Sequence, residues 1–577
     1  MTQQILLLAS GENGLTRRAR LALERTGRTV RTVVVASSTD IENTVAANDS
    51  DLIICPYLTA YIPAAVYNRH RVVVIHPGPV GDRGPSSLDW AITEDDPIWG
   101  VTAVSATEVL DAGPVWGTRA FVLPQGRKSD VYNSVVSDAA IQLILEAADN
   151  AADPAFAPID QALMYRPVAH ARTRPRMRQA DRAFDWSDTA EHIVRRVNAS
   201  DGSPGVRSTI GDFPVYLYDA HLGRREVDAE SGTVLGRCHH AVEIACGTAE
   251  SIWIGHLRAV IDEEWSCKAP AAAALLRAGY PVGALPTTVG GGFADINYRR
   301  SGAIGELTFS AYNGAMSTGL CRRLTRAVRA AAREDIRVLI LRGRRDAMFS
   351  NGLHLGRIHI DEHPAREAWN NITAINDLCR ELLLCGRASG QNPDGLLTIG
   401  AITGSAGAGG AGGALMPLSC DIVAATRRAV LDPHYQTMGL SGSELHTYTL
   451  PCRVGADTAE QLLRECAPID TATALKIGYL DHVGPDTGFD TWLGDLAARY
   501  AELDRWTATV QAKHEQLATD MALKPIQAYE YAELGAMSRD LFHDHHDFTA
   551  KRGAFLGKST PPKPRAITTP TPALAAH

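Results

Sequence analysis

Short, fully apolar runs alternate with amphipathic stretches through the first 150 residues. The apolar runs fall at residues 5–9, 29–36, 52–55 and 72–75. Between the first two, residues 15–26 carry apolar side chains at the spacing of one helix face. Continuous apolar strands that alternate with helices are typical of a parallel sheet covered on both faces. We therefore predict a parallel-sheet α/β domain over residues 1–165, whose ligands bind at the carboxyl ends of the strands.

The pattern changes along the rest of the chain. Short strands punctuated by Gly and Asp predict a small β-rich domain over residues 166–265. An Ala-, Pro- and Gly-rich stretch, residues 266–296, is interpreted as a connector. Apolar strands and a long helical pattern then predict a second α/β domain over residues 297–500. The tail, residues 501–577, is helical by composition, and its Pro-rich end should be disordered.

Composition narrows the classes of function. The chain has 577 residues, of which 45% are hydrophobic and 21% charged, and this excludes a disordered or fibrous protein. Its formal net charge of −8 argues against nucleic acid or an anionic membrane as partner, since both attract a basic surface. Ten cysteines without CxxC spacing predict reduced thiols and no zinc site. With no basic leader and no long apolar run, we expect a cytoplasmic protein that acts on small molecules.

The first candidate site lies where a predicted strand ends. His76 directly follows the apolar run 72–75, and Asp111 lies in a Leu-Asp-Ala-Gly sequence after a second strand. A carboxylate can fix the tautomer of an imidazole, and the imidazole can then move a proton to and from a reacting amine or carbonyl. Taken alone, such a pair is more often a buried structural histidine with its partner.

The whole string around His76 resembles the folate-dependent formyltransferases, among them methionyl-tRNA formyltransferase. Their motif combines Asn-x-His at a strand end, a loop that ends in Arg-Gly, and a later Leu-Asp-x-Gly. The resemblance implies that His76 transfers protons, that Asp111 orients it, and that 10-formyl-tetrahydrofolate is the formyl donor. The cofactor-binding residues expected in the loop are Arg83, Gly84, Ser86 and Ser87.

One residue of that motif is missing from the chain. Val74 occupies the position of the Asn, so the side-chain donor for the tetrahedral oxyanion is absent. Loss of one oxyanion donor costs about 100- to 1000-fold in rate. A backbone N–H, Ser86 or Ser87 has to replace it, or formyl transfer is slow.

A glycine-rich stretch in the second half matches a dinucleotide-binding fingerprint. GAGGAG at residues 407–412 satisfies G-x-G-x-x-G after an apolar strand, and Asp432 follows about 20 residues later. However, Pro417 lies inside the helix that this fingerprint requires. We therefore disfavour a dinucleotide site.

The same stretch is more similar to the crotonase (enoyl-CoA hydratase) superfamily. Residues 348–355 (MFSNGLHL) resemble its Phe-x-x-Gly-x-Asp loop, and residues 409–425 resemble its Gly-rich helix followed by Cys-Asp. The resemblance implies a coenzyme A thioester whose carbonyl is polarised by two backbone N–H groups. The residues expected to form this site are Gly352, Leu353 and Gly412.

The catalytic glutamates of the hydratases are absent. Leu415 and Tyr435 stand at their positions, and leucine can neither activate water nor protonate carbon. This argues against hydration. His434, Tyr435 and Glu444 are candidate replacements, with Glu444 preferred because it is a carboxylate. Each of the three is as readily interpreted as a turn residue or a packed aromatic.

A histidine- and aspartate-rich cluster near the C-terminus suggests metal binding at first sight. HDHHD covers residues 543–547. Adjacent His and Asp residues without a defined face more often form a solvated helix end, so no metal site is predicted.

A formyltransferase-like half fused to a crotonase-like half resembles the HypX (HoxX) family of hydrogenase maturation proteins. Residues 76–90 and 434–444 are similar to that family's sequences. The resemblance implies formyl transfer from 10-formyl-tetrahydrofolate to coenzyme A, then decarbonylation of formyl-CoA to the carbon monoxide ligand of nickel–iron hydrogenases. It also implies the hydrogenase large subunit, or its maturation complex, as a partner.

Two other functions are compatible with the same residues. One is a formyl-tetrahydrofolate hydrolase or transferase whose crotonase-like half is not catalytic, which the missing glutamates would also predict. The other is a non-catalytic hydrogenase assembly protein, against which the His76–Asp111 pair argues.

Overall fold

The computed structural model of the protein describes residues 2–166, 168, 170–288, 292–344, 348–385, 395–403, 409–557 and the backbone of 566–567. The chain divides into two compact units, Met1–Asp181 with Ser559–His577, and Arg182–Lys558. The side chains of the end predicted to be disordered, residues 559–577, lie outside the described residues. The α/β, β-rich and α/β order predicted from the sequence is confirmed, and the finer domain boundaries stay predictions.

The first unit is built on one mixed sheet, in the order β2-β1-β3-β4-β5-β6, with Ala566–Ile567 antiparallel beside β2. Its strands are β1 Gln4–Ala9, β2 Thr29–Val34, β3 Leu52–Tyr57, β4 Val72–His76, β5 Ile98–Ser105 and β6 Val115–Val122. Its helices are α1 Gly14–Arg25, α2 Ser38–Ala46, α3 Ala64–Tyr67, α4 Ser87–Thr93, α5 Lys128–Val131 and α6 Ser137–Ala152, and α7 Gln179–Arg182 follows at its end.

The strand directions in this sheet differ in part from the pattern's prediction. β1 to β4 are parallel, as predicted, because helices carry the chain back between them. β5 and β6 run antiparallel to their neighbours. The link between β5 and β6, residues 106–114, is too short for the crossover that parallel strands need.

The second unit begins with an antiparallel sheet in the order β7-β8-β11-β10-β9, with β12 and β13 also paired to β11. The strands are β7 Val206–Ile210, β8 Phe213–Arg225, β9 Val234–Cys238, β10 Ala241–Cys246, β11 Glu250–Ile261, β12 Glu264–Trp265 and β13 Ala269–Pro270. Helices α8 Ala190–Ala199 and α9 Ala271–Arg277 bury their apolar faces in the core of this sheet. The segment interpreted as a connector therefore contributes side chains to that core.

A second sheet in this unit has the order β14-β15-β16-β17-β19-β22, and a small sheet has the order β18-β20-β21. Their strands are β14 Ile296–Ser301, β15 Ile304–Phe309, β16 Val338–Gly343, β17 Leu397–Ile402, β18 Gly409–Gly410, β19 Ile422–Thr426, β20 Val430–Asp432, β21 Ile469–Asp470 and β22 His482–Gly484. β16, β17 and β19 are buried along their whole length, as a parallel sheet covered on both faces requires.

Helices cover this sheet and form the tail. They are α10 Thr318–Ala331, α11 Leu355–His359, α12 Pro364–Leu384, α13 Gly412–Leu415, α14 His446–Val454, α15 Ala456–Glu465, α16 Thr471–Lys476, α17 Phe489–Ala501, α18 Leu503–Leu523, α19 Ile526–Phe542 and α20 Phe548–Gly557. The helical tail predicted from composition is thus present as α18 to α20. None of the helices in the described ranges has the length and apolarity needed to cross a membrane.

Candidate active sites

His76 is the last residue of β4 and lies at the carboxyl end of the parallel part of the first sheet, as the sequence predicted. Its side chain is buried. Asp111, 35 positions later, has been brought against it, and 3.4 Å separates its Oδ2 from the His76 Nδ1. The fold therefore assembles the histidine–carboxylate pair of the first candidate site.

A second carboxylate faces the other nitrogen of the imidazole. Asp82 is fully buried, and its Oδ2 lies 2.9 Å from the His76 Nε2. The sequence reasoning passed over Asp82, although it directly precedes Arg83 in the expected folate loop. A turn in which the Asp82 N–H donates to the Pro79 carbonyl brings the carboxylate back to the histidine.

The two carboxylates decide the charge of the imidazole. Burial on its own lowers the pKa of His76, because it disfavours the charged form. The hydrogen bond with Asp82 and the charges of Asp111 and Asp82 outweigh burial and raise the pKa. The imidazolium is thus stabilised between two acceptors. This arrangement suits a group that donates a proton as a general acid and accepts one as a general base.

Glycine and backbone contacts keep this cluster tight. A Cβ on Gly78 would lie 2.4 Å from both the His76 Nε2 and the Asp82 Oδ2, so no side chain fits there. The Gly84 N–H donates to the Asp111 Oδ2 over 3.0 Å. Gln161, which the sequence reasoning also missed, donates to the carbonyl of Asp111 over 2.8 Å. Its signal in the sequence is weak, because it lies 50 residues beyond the motif.

The structure gives the expected loop serines positioning contacts. The Ser87 hydroxyl donates to the Pro77 carbonyl over 2.8 Å, and the Ser86 hydroxyl accepts from the Met177 N–H over 3.1 Å. Arg83 is half-buried, and its Nη2 lies 3.5 Å from the Gln161 Oε1. The role of these residues toward folate stays a prediction.

The second candidate site lies between two backbone segments. Gly352 has φ +75°, and a Cβ there would lie 3.3 Å from the Gly412 nitrogen, so the loop before α11 and the start of α13 are in close approach. No described residue accepts a hydrogen bond from the N–H of Leu353 or of Gly412. Unpaired N–H groups at a helix start can stabilise an oxyanion. This is the arrangement that the resemblance implied for a thioester carbonyl.

Glu444 lies against the α-carbon of Gly412, one of the two residues that carry these N–H groups. A Cβ on Gly412 would lie 2.2 Å from the Glu444 Oε1, which places the carboxyl group on the α-carbon of that glycine. Glu444 and Leu445 both adopt positive φ, 70° and 58°, and this unusual pair of left-handed residues directs the chain into α14. Asn376 Oδ1 accepts from the Glu444 N–H over 2.8 Å and holds the turn.

The carboxyl group of Glu444 is largely neutral at pH 7. Burial raises its pKa to about 8, and the negative charge of Glu533 adds to this. Glu533 comes from α19, and its carboxylate accepts from the N–H groups of Leu445 and Thr447 over 3.0 and 2.8 Å. A carboxyl group with a pKa near 8 is well matched to exchange protons with a thiol.

Tyr435 is also buried in this region but is bound to another partner. The Nδ1 of His446 lies 2.7 Å from the carbonyl of Ser443, which only accepts, so Nδ1 carries the proton. The Nε2 of His446 therefore accepts from the Tyr435 hydroxyl over 3.1 Å. Burial and the charge of Glu444 raise the pKa of Tyr435 further. Tyr435 is thus a neutral donor and not a base.

The remaining candidates take structural positions. Leu415 is completely buried in the core. His434 is partly exposed, and its Nδ1 lies 2.9 Å from the carbonyl of Asp432. Residues 404–408 of the glycine-rich stretch lie outside the described residues, and α13 ends at Leu415, where Pro417 turns it into a 3₁₀ helix. The HDHHD cluster forms the turn between α19 and α20, where the His546 Nδ1 lies 2.8 Å from the Asp540 Oδ1.

Different parts of the chain are similar to two different protein families. The family model "Formyl transferase, C-terminal domain" matches residues 176–272, and "Enoyl-CoA hydratase/isomerase" matches residues 299–562. A methionyl-tRNA formyltransferase of Dichelobacter nodosus is 29% identical over 167 residues, which are 29% of this chain and 51% of that protein.

Two of the similar proteins match along almost the whole length of this chain. Hydrogenase maturation factor HoxX of Bradyrhizobium diazoefficiens is 37% identical over 562 residues, 96% of this chain and 95% of that protein. The crystal structure of HypX from Aquifex aeolicus in complex with tetrahydrofolic acid is 32% identical, covers 97% of each chain and superposes with a TM-score of 0.88. This chain therefore belongs to the HypX/HoxX family of hydrogenase maturation factors.

Proposed function

We propose that this protein makes carbon monoxide for the active site of nickel–iron hydrogenases in two steps. In the first, the formyl group of 10-formyl-tetrahydrofolate is transferred to the thiol of coenzyme A. In the second, formyl-CoA is split into carbon monoxide and free coenzyme A. Membership of the hydrogenase maturation family and the pairing of formyltransferase-like with crotonase-like parts support this scheme.

The first step needs proton transfer at two atoms. The coenzyme A thiol loses its proton as sulfur bonds to the formyl carbon, and the N10 nitrogen of folate gains a proton as its bond to that carbon breaks. His76, held between Asp82 and Asp111, is the group proposed to move this proton. The tetrahydrofolic acid named for the Aquifex aeolicus protein supports a folate donor.

The second step needs a base beside a polarised thioester. We assign the thioester oxygen to the N–H groups of Leu353 and Gly412. Glu444 then takes the formyl proton while the C–S bond breaks, and it returns this proton to the coenzyme A thiolate, so the step consumes nothing else. The observation that carries the proposal is the Glu444 carboxyl group packed on the α-carbon of Gly412. The hydrogenase large subunit, or its maturation complex, is the proposed recipient.

The test supplies carbon-labelled 10-formyl-tetrahydrofolate and coenzyme A to the full chain and traps released carbon monoxide on a haem protein. Labelled carbon monoxide is the expected product. Labelled formate without labelled carbon monoxide would contradict the proposal and indicate a hydrolase. The absence of any labelled product would indicate a non-catalytic assembly protein.

Two variants separate the steps. His76→Ala should lose formyl-CoA formation, by about 100-fold or more, because proton transfer is removed. Glu444→Gln should accumulate formyl-CoA while carbon monoxide release falls by a similar factor. Glu465→Gln, at an exposed carboxyl on α15, is the control and should behave as wild type. Undiminished carbon monoxide release by Glu444→Gln would remove Glu444 from the mechanism.

A further inference from the structure

A buried pair of histidines joins the antiparallel sheet of the second unit to the loop that carries Leu353. His256 lies in β11, and His354 follows Leu353 directly. Their Nε2 atoms are 3.1 Å apart. The rings are nearly coplanar, with 4° between their planes, and their centroids are 5.4 Å apart. The centroid–centroid distance exceeds the Nε2–Nε2 distance by about the width of one imidazole ring, so the two Nε2 atoms point directly at each other.

The partners of the pair fix where each proton lies. The His354 Nδ1 accepts from the Arg357 N–H over 3.1 Å, so this nitrogen is unprotonated. Burial lowers the pKa of His354 to about 3, so the ring is neutral and carries its proton on Nε2. His354 therefore donates to the Nε2 of His256. His256 in turn carries its proton on Nδ1, which lies 3.0 Å from the Asp219 Oδ2.

The backbone is shaped to place Asp219 in this chain. Asp219 lies within β8 yet has φ +57°, a left-handed conformation that turns its side chain over the neighbouring strand. A Cβ on Gly255, which faces it on β11, would lie 2.1 Å from the Asp219 Oδ2. Only glycine leaves room for the carboxylate there. Asp219, His256 and His354 are all buried.

A tyrosine confines the central ring. Tyr312 stacks on His256 with centroids 4.2 Å apart and 24° between the planes. Its hydroxyl donates to the Asp201 Oδ1 over 2.7 Å. Asn313 follows Tyr312 in the chain, and its carbonyl accepts from the side-chain amide of Asn351 over 3.0 Å. Asn351 directly precedes Gly352. The same network thus reaches the oxyanion loop from two directions.

His354 in turn sets the backbone around Leu353. The His354 N–H donates to the Asn371 Oδ1 over 3.0 Å, and its ring caps α11 through Arg357. On the other side, the Gly352 carbonyl accepts from the Met316 N–H over 2.8 Å. The peptide that carries the Leu353 N–H is therefore fixed at both ends, and one of them depends on the ring position of His354.

A metal ion is the other use for such a cluster. Asp219, His240 and His256 carry ligand atoms that all lie within 4.8 Å of one another. Both nitrogens of His256 already face hydrogen-bond partners, however, because its Nδ1 lies 3.0 Å from the Asp219 Oδ2 and its Nε2 lies 3.1 Å from the His354 Nε2. The hydrogen-bonded chain accounts for the geometry without a metal.

We propose that Asp219, His256 and His354 form a positioning chain that holds the Leu353 N–H in its oxyanion-binding orientation. The inference rests on the proposed function, because it assigns that N–H to a thioester carbonyl. These residues do not touch the substrate. They act by fixing one tautomer in each ring, so that every N–H meets an acceptor, either the Asp219 carboxylate or an unprotonated ring nitrogen.

The decisive variant is Asp219→Asn in the full chain. An amide can donate to the Nδ1 of His256, which moves the ring proton to Nε2 and sets it against the Nε2 proton of His354. The tautomers are read by nitrogen NMR of selectively labelled histidines, and wild type should show Nδ1–H at His256 and Nε2–H at His354. In Asp219→Asn these signals should change.

The functional readout is the carbonyl stretch of bound, carbonyl-labelled acetyl-CoA, which lacks the formyl proton and is not decarbonylated. It should shift toward its solution frequency in Asp219→Asn, and kcat for formyl-CoA cleavage should fall about 10- to 100-fold with a smaller change in KM. The control is His359→Gln, at an exposed histidine on α11, the helix that His354 caps. This variant should leave all readouts unchanged.

Three results would overturn the inference. They are the opposite tautomers in wild type, an unchanged carbonyl stretch and kcat in Asp219→Asn, and tight Zn²⁺ binding that Asp219→Asn abolishes. If wild type fails to cleave formyl-CoA, the proposed function fails instead, while the tautomers and the acetyl-CoA carbonyl still test the positioning chain.

Discussion

His76 and Glu444 show how the same burial acts in opposite senses on two acid–base groups. Burial disfavours the charged form of each, which lowers the pKa of an imidazole and raises that of a carboxyl group. Two carboxylates reverse the effect at His76, so its pKa rises. At Glu444 the neighbouring charge is also negative, so burial and charge act together and raise the pKa to about 8.

Asp82→Asn tests the carboxylate that the sequence reasoning missed. Without the negative charge of Asp82, burial should weigh more heavily and the pKa of His76 should fall. The imidazolium then disappears at lower pH, and formyl transfer at neutral pH should drop about 100-fold. The measurement is the pH dependence of formyl-CoA formation. Asp149→Asn, at an exposed carboxylate paired with Arg28, is the control. A pH profile identical to wild type would leave Asp82 a structural residue.

Glu444 should also make the protein less stable in alkali. Its folded-state pKa of about 8 exceeds its ordinary value of 4.5, so it retains a proton that the unfolded chain has lost. Its contribution to the free energy of unfolding is complete below the ordinary value and is lost as pH rises through the folded-state pKa. Glu444→Gln cannot ionise, so its melting temperature should fall less than that of wild type between about pH 4.5 and about pH 8. An equal fall of melting temperature with pH in wild type and variant would contradict the raised pKa of Glu444.

At the scale of elements, α19 of the tail controls the turn that presents Glu444. Glu533 accepts hydrogen bonds at the start of α14, where backbone N–H groups lack partners within the helix. It satisfies these donors and also places a negative charge near Glu444. A helix predicted only as part of a tail thus takes part in the second site.

Glu533→Gln separates these two effects. The amide retains one acceptor oxygen for α14, so the free energy of unfolding should fall by only about 1 kcal/mol. The pKa of Glu444 should fall because its charged neighbour is gone, and the rise of carbon monoxide release with pH should move to lower pH. Glu530→Gln, on the same helix but paired with Arg380, should leave that pH profile in place. A pH profile that moves in Glu530→Gln but not in Glu533→Gln would show that Glu533 does not act on Glu444.

For the whole molecule, the two sites lie in different compact units, and each is closed around a glycine. A Cβ would lie 2.4 Å from the His76 Nε2 at Gly78, and 2.2 Å from the Glu444 Oε1 at Gly412. Neither glycine has positive φ, so alanine causes no backbone strain and acts by the contact alone. The chemistry of each unit can therefore be removed separately.

Gly78→Ala should lose formyl-CoA formation and still cleave added formyl-CoA. Gly412→Ala should do the reverse, with each affected rate down about 100-fold or more. Both half-reactions and the melting temperature are measured for each variant, with Gly494→Ala as control because a Cβ there meets nothing within 4 Å. Loss of both activities in either folded variant would mean that one site performs both steps.

Local sequence patterns were sufficient for the fold class and for the paired residues of known motifs. Apolar runs predict buried strands because a covered sheet tolerates few polar side chains, and His76 at a strand end follows from the same rule. The pattern did not predict the antiparallel direction of β5 and β6. The short link between β5 and β6, residues 106–114, accounts for the antiparallel pairing of those two strands, and the length of a link leaves no hydrophobic period.

Residues without a motif became visible only once the chain was folded. Glu533 and His256 carry no sequence signal of their own, because each acts on a side chain that is remote in the sequence. Asp82 lies inside the string 76–90 but is not one of the motif residues. Burial, which sets the pKa of Glu444, is likewise a property of the packed molecule. Residue type and spacing thus specify which chemistry is available, since they are local. Three-dimensional packing decides which groups meet and in which protonation state, since distance and exclusion of water exist only in the folded chain.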